Sequence, residues 1–228
     1  AGSAGSSGST NATGTSARFL HPEGITNDGT NLYVVETNNH TIRKIVISSG
    51  EVTTLAGSAG STGLTNGTGT AAKFNKPRQI TSDGTNLYVA GHDNHLIRKI
   101  VIATGAVTTL AGSGSVGSAD GTGTAASFDK PTGITTDGTN LYVAEYNNHT
   151  IRKIVISSGV VTTFAGSTSS GSTDATGTSA RFKNPMAVLI EGTNLYVSDF
   201  SNHKIRKIAL SGNVNAGVVL HNLDDEID

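Results

Sequence analysis

The sequence contains no cysteine and no tryptophan, and charged residues make up only 14% of its 228 positions. Without cysteine, a disulfide framework, a thiolate metal site and a thiol nucleophile are all excluded. The formal net charge of −1 provides no general positive field for attracting nucleic acid. No apolar run approaches the ~18 residues that a membrane-spanning helix needs. These absences predict a protein with no nucleic-acid partner and no membrane span.

Small polar residues dominate what is present, and the chain includes 29 glycines. We interpret a composition rich in Gly, Ser, Thr and Asn and poor in charge as that of a secreted or cell-surface protein of bacterial type. The sequence starts at Ala1 instead of methionine, which we interpret as the result either of leader removal or of trimming of the chain.

A repeat of 54 or 55 residues organises almost the whole chain. The tripeptide Ala-Gly-Ser starts at positions 1, 56, 111 and 165, and all four prolines and four of the five tyrosines recur with it. We therefore predict a single repeat domain over 1–228. Its units lie at about 1–55, 56–110, 111–164 and 165–223, and an acidic tail follows at 224–228.

Each unit has the pattern of four short antiparallel strands. In the third unit these are 132–136, 141–145, 150–156 and 160–165, rich in β-branched residues and separated by turn sequences such as Asp-Gly. No stretch shows a sustained helical period. Four-stranded units in tandem predict an all-β fold, a β-propeller built of four blades.

About twenty residues link one unit to the next, and this Gly- and Ser-rich loop repeats as well. The core of this loop recurs in every unit and begins with an Asn or Asp that lies eight residues before a repeated phenylalanine. These residues are Asn11, Asn66, Asp120 and Asp174. We expect ordered loops in which the Asx side chain bonds backbone amides two residues on, and in which the phenylalanine lies between blades.

The third strand and the turn before it read Asn-His-x-Ile-Arg-Lys-Ile at 39–45, 94–100, 148–154 and 202–208. This motif resembles the NHL repeat, in a bacterial-type variant with long loops, and the resemblance covers nearly the whole chain. It implies β-propeller blades, usually six to a ring. Four blades leave three alternatives: a closed four-bladed ring, a segment of a longer propeller, or blades completed by another copy. We favour assembly with other copies.

Side chains that occur in every unit are expected to build the unit. The histidines should bond turn backbone, and the arginines should bond backbone or a carboxylate. These structural positions are His40, His95, His149, His203, Arg43, Arg98, Arg152 and Arg206.

A repeated acid ends the second strand in every unit but one. Glu36, Glu145 and Asp199 occupy this position, where an acid would cap the following turn, and Gly91 replaces it in the second unit. His92, Asp93 and His95 follow Gly91 and form a His-x-x-His pattern with an adjacent carboxylate. Such a set could hold a divalent cation, and no other cofactor is predicted.

The position after this acid differs in every unit: Thr37, His92, Tyr146 and Phe200. Propeller geometry predicts that these turns share one loop face, on which Asp93 also lies. Aromatic side chains among small polar residues suit contact with protein or with glycan. Alternatively, Tyr146 and Phe200 cover the blade below them.

The sequence lacks a convergent set of non-repeated titratable residues of the kind that catalysis needs. It therefore favours a non-catalytic binding or assembly scaffold, with other copies of the chain as the expected partner. In such an assembly the acidic tail could pair with Lys73, Lys76 and Arg78 of another copy. The resemblance implies one alternative, a metal-dependent lyase or hydrolase of the NHL-like propeller type.

Overall fold

The structure, a computed structural model, describes residues 1–210 and 220–222. Within them the regular structure is β-strand apart from single 3-10 turns, and the strands form four antiparallel sheets that are the blades of a β-propeller. This confirms the predicted fold class. None of the helical turns in the described residues approaches the length needed to cross a membrane. The 3-10 turns are Gly14–Ser16, Gly69–Ala71, His92–Asn94, Gly123–Ala125, Gly177–Ser179 and Phe200–Asn202.

One compact unit, Ala1–Leu110, contains the first two blades. In each of them the chain order gives a sheet with the first strand paired to the last, β1-β5-β4-β3-β2 and β6-β10-β9-β8-β7. The strands are β1 (Ala12–Thr13), β2 (Pro22–Asn27), β3 (Asn31–Glu36), β4 (Thr41–Val46), β5 (Glu51–Ala56), β6 (Gly67–Thr68), β7 (Pro77–Ser82), β8 (Asn86–Gly91), β9 (Leu96–Val101) and β10 (Ala106–Ala111).

A second compact unit, Ala111–Asp228, contains the other two blades. Their sheet orders are β11-β15-β14-β13-β12 and β16-β17-β18-β19. The boundary after Leu110 coincides with the predicted boundary between the second and third repeats. The strands are β11 (Gly121–Thr122), β12 (Pro131–Thr136), β13 (Asn140–Glu145), β14 (Thr150–Val155), β15 (Val160–Gly166), β16 (Pro185–Glu191), β17 (Asn194–Asp199), β18 (Lys204–Ala209) and β19 (Leu220–Asn222).

The hairpin between the first two long strands of a blade is fixed by an aspartate. Asp28 Oδ1 accepts the backbone N–H groups of Thr30 and Asn31 at 2.8 and 2.7 Å, and the Tyr33 hydroxyl donates to Asp28 Oδ2 at 2.7 Å. Burial tends to raise the pKa of Asp28, but these hydrogen bonds outweigh it and hold the pKa well below its usual range. The Asp-Gly signal in the sequence thus has a specific polar anchor.

Each of the first three blades contains a short outer strand that was not predicted from the sequence. Residues of the loop before each of these blades pair with its last long strand, as in Ala12↔Val52, Gly67↔Val107 and Gly121↔Val161. The prediction of four strands per unit is therefore incomplete for these blades. The added strand covers part of an edge that would otherwise expose unpaired backbone groups.

Successive blades within a unit bury an apolar layer between them. In the first unit Tyr33 and Ile42 of one blade pack with Phe74 and Leu87 of the next, and all four side chains are fully buried. In the second unit Phe182 holds the place of Phe74. The repeated phenylalanine lies between blades there, as expected.

Candidate functional site

Each blade is built around a fully buried arginine. Arg43 Nη1 donates to Glu36 Oε2 at 2.9 Å, and Nη2 donates to Asn11 Oδ1 at 2.8 Å. The guanidinium carbon lies 5.1 Å from the centre of the Phe19 ring, in cation–π geometry. Arginine, aromatic ring and loop Asx thereby tie the inter-blade loop to the sheet.

The third and fourth blades repeat this arrangement. Arg152 pairs with Glu145 at 3.0 Å and with Asp120 at 2.7 Å. Arg206 pairs with Asp199 at 2.8 Å and also with Asp174. The loop Asx side chain accepts a hydrogen bond from arginine. The expectation that it bonds backbone amides two residues on is therefore wrong, because the charged guanidinium group is a stronger donor and lies within hydrogen-bond distance.

The repeated acid is an acceptor for several donors at once. Glu36 Oε1 accepts from the backbone N–H of Leu20 at 2.8 Å and from Asn39 Nδ2 at 2.9 Å. Its other oxygen accepts from Thr41 Oγ1 at 2.6 Å as well as from Arg43. Four donors on two oxygens are the partners of an ionised carboxylate. The acid does more than cap a turn, because it neutralises the buried arginine.

The second blade lacks this acid. Arg98 is fully buried, yet among the described residues it forms no ion pair. It donates instead to the carbonyl oxygens of Lys73 and Thr65, at 2.8 and 3.1 Å, and to Asn66 Oδ1 at 3.0 Å. Burial lowers the pKa of Arg98 to about 10.

The repeated histidines end the turn after the second strand in left-handed backbone conformation, with φ between 55 and 60°. His40 Nδ1 accepts the backbone N–H of Lys76 of the next blade at 3.1 Å, and His149 Nδ1 accepts that of Asn184 at 3.1 Å. Burial lowers the pKa of both histidines, in keeping with a neutral ring that accepts. His40 and His149 thus each link one blade to the next by a hydrogen bond.

The residues proposed for a cation are only partly brought together. His92 Nδ1 lies 2.6 Å from Asp93 Oδ1, and Lys76 Nζ lies 3.6 Å from Asp93 Oδ2. His95 is in the left-handed conformation of the repeated histidines. Within residues 1–210 and 220–222, no three His, Asp or Glu side chains group as a metal centre requires.

The variable positions have three different environments. Thr37 and His92 are buried, and Thr37 Oγ1 lies 2.9 Å from the carbonyl oxygen of Pro77 in the next blade. Tyr146 is half-buried, and its carbonyl oxygen accepts from Asn184 Nδ2 at 3.0 Å. Phe200 is 56% exposed. Of this set, only Phe200 offers a large apolar surface to a partner.

Glycines mark the closest approach of one blade to the next. A Cβ on Gly24 would lie 2.5 Å from the carbonyl oxygen of Arg78 and 2.8 Å from Cα of Gln79. In the second unit a Cβ on Gly133 would lie 2.5 Å from the carbonyl oxygen of Met186. Backbone thus packs directly on backbone at both junctions.

The face by which a blade packs on the following blade is here called its forward face. In the fourth blade the forward face consists of Ala187, Leu189, Tyr196, Ser198 and Ile205, which line a shallow pocket. Ile205 is 48% exposed, whereas the equivalent isoleucines of the other three blades are fully buried. This forward face is uncovered.

The opposite face of a blade is here called its rear face. In the first blade it includes Phe19, Ile25, Val34 and Ile45, which also line a pocket. Ile25 is 59% exposed, whereas the equivalent Ile80 and Ile134 are 4% and 5% exposed. Among the described residues there is thus an uncovered face of each kind. The sequence analysis missed these faces, although apolar columns that recur in every unit could have indicated them.

Two of the three basic residues suggested as partners of the acidic tail, Lys76 and Arg78, have partners of their own. Arg78 Nη1 pairs with Glu23 Oε1 of the preceding blade at 2.9 Å. Lys76 faces Asp93, as described above. The tail at 224–228 lies outside the described residues.

Comparison with known proteins identifies the type of repeat. No protein-family model matches the chain. The NHL repeat-containing protein 2 of Bos taurus is 31% identical over 179 residues, which cover 72% of the chain and 25% of that protein. The chain spans only 21–25% of the length of the curated relatives that it matches, which are therefore much longer proteins.

Two solved structures show the same fold. An auxiliary nutrient binding protein from Bacteroides ovatus aligns with a TM-score of 0.68 at 20% identity, covering 89% of the chain and 54% of that protein. A catalytically inactive virginiamycin B lyase from Staphylococcus aureus aligns with a TM-score of 0.56 at 19% identity, covering 88% and 54%. The fold thus occurs both in a binding protein and in an enzyme.

Proposed function

Because the chain belongs to the NHL-repeat family of β-propeller proteins, we propose that it is a non-catalytic assembly scaffold whose uncovered blade faces bind a second copy of the chain. The observation that carries this proposal is the exposure of Ile205 and Ile25, at 48% and 59%, on faces that are buried elsewhere in the repeat. The forward face of the fourth blade of one copy receives the rear face of the first blade of the other.

The junctions inside each unit provide the template for this contact, except that Ala187 stands where they have Gly24 and Gly133, so the two backbones must lie farther apart at that point. In those junctions a forward face already packs on a rear face, with a histidine as the polar link. By the same register, His203 Nδ1 of one copy accepts the backbone N–H of His21 of the second copy. His21 shares the left-handed conformation of Lys76 and Asn184, which donate in the existing junctions.

The forward face of the fourth blade gains one large apolar side chain, although Ser198 replaces Val35, Ala90 and Ala144 of the other blades. Leu189 replaces a threonine of the other units, and it is 61% exposed. Full burial of a leucine or isoleucine contributes about 1.5–3 kcal/mol. Because Leu189, Ile205 and Ile25 are already about half buried, completing their burial contributes about 2.5–5 kcal/mol in total, which offsets part of the cost of association.

The mass of the protein in solution tests the proposal. Light scattering over a concentration series should show species of at least twice the 23.2 kDa chain mass. Ile205→Lys should weaken this association at least tenfold, because it places a charge in the contact. Leu64→Lys is the matched control, since Leu64 is 55% exposed but lies in a loop away from both faces.

A species of 23.2 kDa at every concentration would overturn the proposal. So would equal effects of the two lysine variants. Binding of glycan or of an unrelated protein to these faces, without self-association, would keep a binding role but reject the second copy as the partner.

Two further parts of the proposal concern the location of the protein and the role of the turn after Gly91. The low charge content supports a secreted or cell-surface location. The engagement of Asp93 by both His92 and Lys76 supports a structural role for this turn. The likeness to virginiamycin B lyase concerns the fold.

A further inference from the structure

The second blade retains the donors that hold a carboxylate in the other blades. In the third blade the backbone N–H of Asp129, Asn148 Nδ2 and Arg152 Nη1 converge on Glu145, at 2.9, 2.8 and 3.0 Å. The repeat places the backbone N–H of Asn75, Asn94 Nδ2 and Arg98 Nη1 at the same positions in the second blade. Their common acceptor is absent there, because residue 91 is glycine.

The donors, and not the length of the acidic side chain, set the position of the carboxylate. In the fourth blade the shorter Asp199 accepts from the backbone N–H of Lys183 at 2.7 Å and from Asn202 Nδ2 and Arg206 Nη1, both at 2.8 Å. Glutamate and aspartate are therefore held by one set of donors. A carboxylate that is not tethered to the backbone could be held in the same way.

The backbone at Gly91 follows the path that it has in the blades with the acid, although a Cβ there would be in tight contact with its own turn. The three nearest atoms to a Cβ placed there belong to its own turn: the carbonyl oxygen of Leu96 at 3.1 Å, Cβ of Asn94 at 3.7 Å and the carbonyl carbon of Leu96 at 3.9 Å. The backbone at Gly91 has φ −86° and ψ 85°, close to the −86° and 75° of Asp199. The turn is thus preserved while its acid is lost.

Burial makes the loss of the acid costly. Arg98 is fully buried and Asn94 is 4% exposed, so neither side chain is freely hydrated. Asn94 Nδ2 still donates to the carbonyl oxygen of Gly63 at 2.6 Å, as its equivalents do to theirs, but it lacks their second acceptor. A buried cation without a counter-charge is strongly disfavoured.

We propose that the second blade binds a small carboxylate anion, of the size of formate or acetate, where the other blades place Glu36, Glu145 or Asp199. One carboxylate oxygen accepts from Asn75 and Asn94, and the other accepts from Arg98. The glutamate or aspartate side chain that this blade lacks sets the size expected of the ligand. This site is separate from the uncovered blade faces and does not depend on the proposed function.

Thermal unfolding of the full chain tests this site. Sodium formate or acetate should raise Tm by about 3 °C over sodium gluconate at equal concentration, because gluconate is a carboxylate larger than the side chain that this blade lacks. The Gly91→Glu variant supplies a tethered carboxylate, and it should lose this anion-specific rise. Gly91→Asp serves if the glutamate variant does not fold, and Gly91→Ala should retain the rise.

Direct binding provides the second readout. The NMR line of ¹³C-formate should broaden on addition of the natural protein and stay sharp with Gly91→Glu. Equal Tm changes in formate, acetate and gluconate would overturn the proposal. A rise with sodium chloride but not with formate or acetate, or a formate effect that persists in Gly91→Glu, would overturn it as well.

Discussion

The second and third blades contain the same buried arginine in two different electrostatic settings. Arg152 faces Glu145, whereas Arg98 faces Gly91. Nevertheless both guanidinium groups lie 5.1 Å from the centre of their phenylalanine ring and donate to equivalent loop carbonyls. The ring and the carbonyls therefore position the arginine. The acid contributes neutralisation of charge, and a blade can be built without it.

Removal of the arginine should have the largest effect, and it should separate the two blades. Arg152→Met leaves Glu145 fully buried without its cation, which costs about 3–5 kcal/mol. Arg98→Met leaves no carboxylate behind, so its cost should be smaller by about 2 kcal/mol. Denaturant unfolding measures both free energies. Equal losses would show that the acid has no energetic role.

Restoration of the acid should have an intermediate effect of opposite sign. We expect Gly91→Glu combined with Leu96→Thr, which copies Glu36 and Thr41 into the second blade, to raise the free energy of unfolding by about 1–2 kcal/mol. The measurement is made in a buffer without small carboxylates. The neutral variant Gly91→Gln is the control for added bulk, and a gain as large as that of glutamate would contradict the electrostatic explanation.

The blade-linking histidines should give the smallest effect, visible as a pH dependence. Burial lowers the folded-state pKa of His40 and His149 below the ordinary value of 6.5. Folding then favours the neutral rings, so this contribution to stability is complete above pH 6.5 and is lost as pH falls from there towards the lower folded values.

Denaturant midpoints between pH 7.5 and pH 5 measure this dependence. The double variant His40→Asn and His149→Asn should flatten it, because asparagine tolerates the left-handed conformation and does not titrate. An unchanged pH profile in the double variant would assign the dependence to other groups.

The sequence predicted the parts of the fold that follow from local chemistry. The long strands and the Asp-Gly hairpins follow from β-branched runs and turn residues, and they lie within a residue or two of the expected bounds. The two-residue outer strands, such as Gly67–Thr68, were missed because their pairing depends on contacts distant in sequence. The hydrogen bond between Asn11 and Arg43 was also missed, because the two residues lie 32 positions apart in the sequence.

The candidate site was predicted less completely. Variation after the repeated acid pointed to an exposed set, but Thr37 and His92 are buried, and Thr37 Oγ1 contacts the carbonyl oxygen of Pro77 in the next blade. The exposure of Ile205 could not be read from its own sequence context, which matches that of three buried isoleucines. Whether a repeated position is covered depends on the neighbouring blade, and local patterns do not contain that information.

The central claim, that a forward face binds the rear face of a second copy, is tested most directly by mixing two damaged proteins. Ile25→Lys disables the rear face, and Ile205→Lys disables the forward face, so each variant alone should be predominantly a monomer of 23.2 kDa. The mixture retains one intact face of each kind. Light scattering should show a one-to-one complex of twice that mass, which cannot grow further. A mixture that remains at 23.2 kDa, while the unmodified chain associates, would contradict the account.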